Sequence, residues 1–264
     1  MAYKINKYDL YERSVQDPEY DIELFNKIYD ELTVKKEAQS LREDFCGTFW
    51  LSSLWVKQTD QHLAYGIDLS PEPTDYGKEH HYKKLTKDEQ ARLSIENTDV
   101  RNITEKKYDL IVACNFSYFI FKQREELKKY FNSVYQSLDS DSLFIVDHFG
   151  GPDNCGDTME DKTIEHPHLN NFRYEWEQIS WNPVTNESVF HINFANKRKG
   201  LNTDGAFVYD WRLWSIREVR EIMEEVGFAK SYCYWEDDDG EFFTTEEGED
   251  NCANWICMLA GYKK

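Results

Sequence analysis

The residues of this chain that can do chemistry fall at the ends of short apolar runs. Residues 40–53 read SLREDFCGTFWLSS, with two acids, Glu43 and Asp44, ahead of Cys46-Gly47-Thr48. A loop that closes on a pyrophosphate needs two or three glycines at such a strand-to-helix junction, so that backbone amides can reach the phosphates. This stretch has one, and Phe45 and Phe49 stand where the others would fall. A dinucleotide is therefore a poor guest, whereas a cofactor without phosphates is not excluded. Asp68 closes the next apolar run, 22 residues beyond Cys46 (68 − 46). An acid there can accept both hydroxyls of a ribose in charge-assisted hydrogen bonds, and it also reads as a helix N-cap before Leu-Ser-Pro. His148, at the end of a later run, is the best-placed candidate for a general base, because imidazole titrates near neutrality.

Six aromatic residues, Trp176, Trp181, Tyr209, Trp211, Trp214 and Trp235, gather late in the chain. They read either as the core of a small sheet or as a pocket able to hold a cation over aromatic faces. Arg212, between two tryptophans, can bind a substrate carboxylate. Cys46 has no neighbouring base to make it a nucleophile. Glu165-His166-Pro167-His168 reads as a solvated loop rather than a metal pair. In WEDDDGEFFTTE, Trp235 occupies the first ligand position of a calcium loop, so that motif breaks and the run reads as a solvated acidic loop. GxSxG and phosphate-loop signatures are absent. No metal site is expected.

These residues need a scaffold, and the apolar periodicity supplies one. Ile22, Phe25, Ile28, Tyr29 and Leu32 recur at helical spacing. Short strand-like runs follow around 40–45, 63–68, 92–96, 108–114 and 142–149, separated by helical patterns, among them a stripe of Leu127, Phe131, Val134, Tyr135 and Leu138. Such alternation implies a doubly wound α/β sheet covered on both faces. Residues 172–197 then read as a β-hairpin and 205–214 as a third strand. Ser215-Ile-Arg-Glu218 is a capping box opening a last helix that Gly227 ends, and 230–236 and 253–262 read as two closing strands. The expected fold is a single Rossmann-like domain over 1–264: a seven-stranded sheet whose last strand is antiparallel, with an antiparallel β insertion between strand 5 and the last helix. Its parts are an N-terminal lid and helix (1–35), a cofactor-binding core (36–150), a substrate-side insertion (151–214) and a C-terminal helix with a strand pair (215–264).

A net charge of −19 argues against nucleic acid and anionic membrane surfaces as partners. The six cysteines form no CxxC pair, no apolar run approaches a membrane span, and the polar start MAYKINKYDLYERSV has no signal core. A cytoplasmic location is the default expectation; composition does not address the oligomeric state.

Several blocks together carry a resemblance: YDLYERSVQDPE at 8–19, LREDFCGT at 41–48, GIDLSPEP at 66–73, NFSY at 115–118, DHFGG at 147–151 and YDWRLWS at 209–215. In type, order and spacing they resemble class I S-adenosylmethionine-dependent methyltransferases, in particular a bacterial-type branch with a variant first motif. The chain departs from the usual acid-then-Gly-x-Gly-x-Gly in its glycine count. The resemblance implies S-adenosyl-L-methionine as cofactor. It implies contacts to that cofactor from Glu43, Cys46, Gly47, Thr48, Asp68, Leu69, Asp99, Val100, Asn115, Phe116 and Ser117. Asp99 would accept from the adenine amino group and Val100 would add a backbone contact. Glu43 or Asp44 would suit the cofactor's cationic groups, and strand alternation sends the two to opposite faces. Tyr8, Tyr11 and Gln16 resemble a segment that folds over the cofactor.

Amine-methylating relatives carry Asn-Pro-Pro-Tyr where this chain has Asn115-Phe116-Ser117-Tyr118, so Asn and Tyr are kept and both prolines are lost. The implied activity is methyl transfer to a small-molecule, or protein side-chain, nucleophile by proximity and desolvation, without metal. His148 and Asn115 are the catalytic candidates, and Tyr118, His148, Trp211 and Arg212 the substrate contacts. The alternatives are a methyltransferase fold used only for binding, or a nicotinamide-dependent dehydrogenase, against which the missing Gly-x-Gly-x-x-Gly counts.

Overall fold

A computed structural model describes residues 4–156, 158–237, 239–248 and 252–264. Two helices lead in, α1 (Lys7–Val15) and α2 (Pro18–Leu32). Strands and helices then alternate through β1 (Ser40–Asp44), α3 (Trp50–Gln58), β2 (Leu63–Ile67), α4 (Pro71–His80), α5 (Lys87–Arg92), β3 (Leu93–Glu96), β4 (Tyr108–Ala113), α6 (Arg124–Ser137) and β5 (Leu138–Gly150). An antiparallel section follows: β6 (Met159–His166), β7 (Asn170–Asn182), β8 (Glu187–Asn196), the short β9 (Leu201–Asn202) and β10 (Phe207–Arg212). The chain closes with α7 (Ile216–Val226), β11 (Lys230–Glu236), β12 (Phe242–Thr245) and β13 (Trp255–Lys263). Met1 to Tyr3 of the expected lid segment and Asp238 of the acidic run lie outside the described residues.

The large sheet runs β12-β11-β13-β5-β4-β1-β2-β3. Strands β1 to β5 run parallel; β13 pairs antiparallel with β5, β11 with β13, and β12 with β11. The seven expected strands are therefore joined by an eighth at the edge. β12 lies in the acidic run expected to be a solvated loop, and Phe242 draws it in by burying its ring. The insertion is a five-stranded sheet, β10-β8-β7-β6 with β9 on β8, rather than three strands. The missed strand β6 is exposed along most of its length, so it shows no alternation and is held by its register on β7.

Strand alternation builds the two cores. Leu110 and Val112 of β4 face α2 and α3 with Leu143 and Ile145 of β5, while Ile111 and Ala113 face α6 and α7 with Phe144 and Val146. Each fully buried side chain of this size contributes about 1.5–3 kcal/mol. α7 starts at the capping box formed by Ser215 and Glu218 and stops at Gly227, whose φ of 116° only glycine adopts freely. Arg42 is fully buried between β1 and α6. It forms a two-pronged pair with Asp44 (2.7 and 3.2 Å) and donates to Ser137 and to the Val100 carbonyl.

α1 bridges the two sheets. Leu10 packs with Phe172, Ile192 and Phe194 of the insertion. Asp9 meets His166 at 3.0 Å and Glu12 meets His81 at 2.6 Å, so one helix is tied both to the end of β6 and to the turn after α4. His166 is buried, not solvated as its Pro-flanked context suggests, because Asp9 and the amides of His168 and Leu169 close around its ring.

Candidate functional site

The loop after β1 makes left-handed turns at Phe45 (φ 55°), Gly47 (φ 52°) and Phe49 (φ 46°). These are the positions where a glycine-rich loop would place its glycines. A left-handed non-glycine residue costs about 1–2 kcal/mol. Burial offsets it: Phe49 is fully enclosed, and Phe45 packs on Phe121 and Tyr130. α4 comes so close above that a Cβ on Gly77 would lie 2.2 Å from the Thr48 carbonyl oxygen.

This loop forms one wall of a cavity of about 320 Å³ at the carboxyl ends of β1 and β2. Tyr8, Tyr11 and Gln16 line it from the N-terminal side, and Glu43, Asp44, Cys46, Gly47, Thr48, Asp68 and Ser117 from the sheet side. Asp68 accepts the Gly47 amide (2.9 Å) and the Ser70 amide (2.8 Å). It is not the helix N-cap; that position belongs to Ser70. Burial raises its pKa against the pull of the two amides. Glu43 and Asp44 point to opposite faces, as expected. Glu43 accepts the amide and hydroxyl of Ser52, supplying the cap that left-handed Phe49 cannot provide to α3. Asp44 is held by Arg42 and Tyr130.

A second cavity, of about 450 Å³, shares Tyr11, Cys114, Asn115, Tyr209 and Trp211 with the first and opens toward the insertion. Its floor is Asp147 at the end of β5, which accepts the amides of Asn115 (2.6 Å) and Phe116 (2.8 Å). Both of those residues are left-handed, each with φ 56°. Aromatic walls come from Phe116, Phe149, Tyr174, Trp176, Tyr209 and Trp211. Among the described residues, three acids line the smaller cavity (Glu43, Asp44, Asp68) and five the larger (Asp17, Asp21, Asp147, Glu160, Asp161), against the single cation Lys162. Among the described residues no group of three or more His, Cys, Asp and Glu is disposed to hold a metal.

Several expected site residues stand elsewhere. His148 is one residue from Asp147 on β5 and so points to the opposite face. There it is fully buried between Tyr118, whose hydroxyl bonds its Nδ1, and the stacked ring of Trp255. Burial pushes its pKa down to about 3, so it is neutral and sealed, not a base or a substrate contact. Tyr118 is fully buried with it. Arg212 lies over Trp214 at 3.6 Å and bonds Glu218 and the Lys122 carbonyl, away from both cavities. Asp99 is spent on Arg101 (2.6 Å), which lowers its pKa, and the Val100 carbonyl accepts from Arg42 and Ser133; neither lines a cavity. Leu69 is 73% exposed and also lines neither. The aromatic cluster splits: Trp176, Tyr209 and Trp211 face the larger cavity, whereas Trp214 and Trp235 are core and Trp181 bonds Asn186. Sequence reasoning missed Asp17, Asp21 and Asp147. Asp147 was within reach, since β5 offers Asp and His side by side.

The crowded acids set a pH response. Burial and neighbouring charge push Asp21 and Asp147 up to about 7, and burial pushes Glu43 up to about 8. An acid whose pKa is higher in the fold than in the unfolded chain stabilises most at low pH, and the contribution is lost as pH rises through the folded value. The ligand-free protein is therefore expected to melt lower at about pH 8 than at about pH 6.5. Below that range His148, whose pKa is depressed in the fold, works the other way, because only the unfolded chain takes its proton. A series of thermal melts checks this; a midpoint rising from pH 6.5 to 8 contradicts the assignment.

No protein-family model matches the chain, and no curated protein matches it in sequence. Solved structures do match in fold. DesVI of Streptomyces venezuelae superposes with a TM-score of 0.73 at 17% identity, covering 99% of this chain and 100% of that one. The amino pentose methyltransferase CalS10 of Micromonospora echinaspora, solved with S-adenosylmethionine bound, gives 0.70 at 8% identity, covering 99% of each chain. The sugar N-methyltransferase KedS8 of Streptoalloteichus gives 0.66 at 16%, covering 100% of this chain and 97% of that one. The chain thus has, over its whole length, the Rossmann-like fold of S-adenosylmethionine-dependent methyltransferases, with the insertion included.

Proposed function

We propose that this protein transfers a methyl group from S-adenosyl-L-methionine to an amine of a small molecule. The observation that carries the reading is the pair of joined cavities: one built around Asp68 and the left-handed loop, the other walled by acids and aromatic rings. Their volumes suit small ligands. Phosphates would meet eight carboxyl groups and one lysine, whereas cations would be drawn in. That two of the similar structures are sugar and amino pentose methyltransferases supports the same reading.

The residues present fit the cofactor. Asp68 keeps lone pairs for ribose hydroxyls while the Gly47 and Ser70 amides hold it in orientation. The left-handed turn at Gly47 lets the backbone come close, and Tyr8, Tyr11 and Gln16 would cover the bound molecule. When bound, the cofactor supplies a methyl group already activated on a cationic sulfur. The protein's part is to exclude water, hold the amine over Asn115 at the junction of the two cavities, and stabilise positive charge with carboxylates and aromatic faces. Asn115, with its carbonyl oxygen, is the candidate to orient the attacking nitrogen.

The test is incubation with methyl-labelled cofactor and fractionated metabolite pools. Label is expected in products retained by a cation exchanger, together with S-adenosylhomocysteine binding on the order of −8 kcal/mol, in the micromolar range. Label only in neutral or acidic products would refute the amine. Binding without any labelled product would leave a binding module.

A further inference from the structure

Of the eight carboxyl groups lining the two cavities, seven have a partner. Ser52 holds Glu43, Arg42 holds Asp44, backbone amides hold Asp17, Asp68 and Asp147, Asn254 holds Glu160, and Arg173 holds Asp161. The carboxyl of Asp21, in the first turn of α2, has no hydrogen bond or ion pair with any described residue; only its backbone amide is used, by the Asp17 carbonyl. Asp21 lines the larger cavity together with Cys114 and Asn115, which follow β4 and also line the smaller cavity, and with Asp147 on β5. Asp17, the N-cap of the same helix, raises its pKa, and Glu160 and Lys162 also line the cavity. A carboxylate left without a partner in a partly buried wall is costly, and such groups mark places where a ligand completes the pairing.

We infer that Asp21 receives the substrate's ammonium group and takes its proton before methyl transfer, an assignment that rests on the amine reading above. In the step, an N–H bond of the ammonium breaks, the proton passes to an Asp21 oxygen, and the electron pair stays on nitrogen. The neutral amine then forms its N–C bond to the methyl group while the C–S bonding pair returns to sulfur, leaving an N-methylammonium and a thioether. A base that titrates near neutrality suits this task, and Asp21 is pushed up to about 7 by burial and by Asp17.

The test compares the wild type with Asp21→Asn, each saturated with S-adenosylhomocysteine. The probes are phenethylamine and glucosamine, each against its hydroxyl counterpart, 2-phenylethanol and glucose, titrated calorimetrically at about pH 6 and about pH 8. The wild type is expected to prefer amine over hydroxyl, more strongly at the higher pH where Asp21 is ionised, and to release a proton on binding amine at the lower pH. Asp21→Asn should weaken amine binding about tenfold or more at the higher pH and diminish the proton release, leaving only what Asp147 and Glu43 contribute. Its affinity for S-adenosylhomocysteine should be unchanged and its melting point no lower, which separates a lost contact from a lost fold. A variant that binds amine like the wild type overturns the inference. So does one that loses S-adenosylhomocysteine affinity to the same degree, since Asp21 would then hold the cofactor's own ammonium. A wild type with no preference for amine over hydroxyl overturns the amine reading itself, and the inference with it.

Discussion

Asp68→Ala is expected to weaken S-adenosylhomocysteine binding about a hundredfold while shifting the melting point only slightly. Two charge-assisted hydrogen bonds to ribose hydroxyls are worth roughly 1.5–3 kcal/mol each. A net loss of about 3 kcal/mol corresponds to two orders of magnitude in affinity. The carboxylate also accepts the Gly47 and Ser70 amides, so its removal loosens the loop at the cavity wall and the entry to α4. That contribution resembles loss of a helix cap, about 1 kcal/mol. For a chain of this size it moves the midpoint by roughly 2–4 °C. Calorimetry beside a melt of the ligand-free variant separates the two effects. A destabilised variant that binds normally would show that Asp68 only shapes the loop.

Asp147→Ala carries the reverse signature, with a large loss of stability and disruption of both cavities. Its carboxylate accepts two successive amides, at Asn115 and Phe116, and both residues hold left-handed conformations that non-glycine residues avoid. Alanine leaves two amides without acceptors and frees the turn to relax. The expected cost is about 2–4 kcal/mol, tempered by removal of a part-buried acid. This corresponds to a midpoint lower by about 4–16 °C. Because Asn115 lines both cavities, affinity for S-adenosylhomocysteine should fall as well. Asp147→Asn, which keeps one acceptor, should fall between. An alanine variant that melts with the wild type would mean that the surrounding packing, not the carboxylate, sets the turn.

Much of the scaffold is legible in the linear chain, for identifiable reasons. The run YDLIVA reads as a strand buried on both faces, the Ser215–Glu218 box announces α7, and Phe45 and Phe49 stand at glycine positions that the fold does keep left-handed. Reading failed where a segment owes its structure to its neighbour. β6 has no alternation because one partner strand suffices to hold it, and β12 forms around a single buried ring, Phe242. The chemistry of single side chains was harder. Arg212 reads as a carboxylate binder from its type, yet Glu218 and Trp214 claim it.

By itself the sequence determined the periodic segments, their alternation, the helix caps and the loop whose glycine count argues against phosphate. All of these follow from sterics and hydrogen bonding within a few residues. Only the tertiary structure decided that Asp147, not His148, meets the cavity. Period-two alternation says that the two must face apart but not which way, and that choice is set by pairing β5 with β4 and β13. It likewise decided that Asp21 stands unpaired beside Asp147. Those residues are 126 positions apart (147 − 21), and they meet because α2 packs across the ends of strands formed much later in the chain.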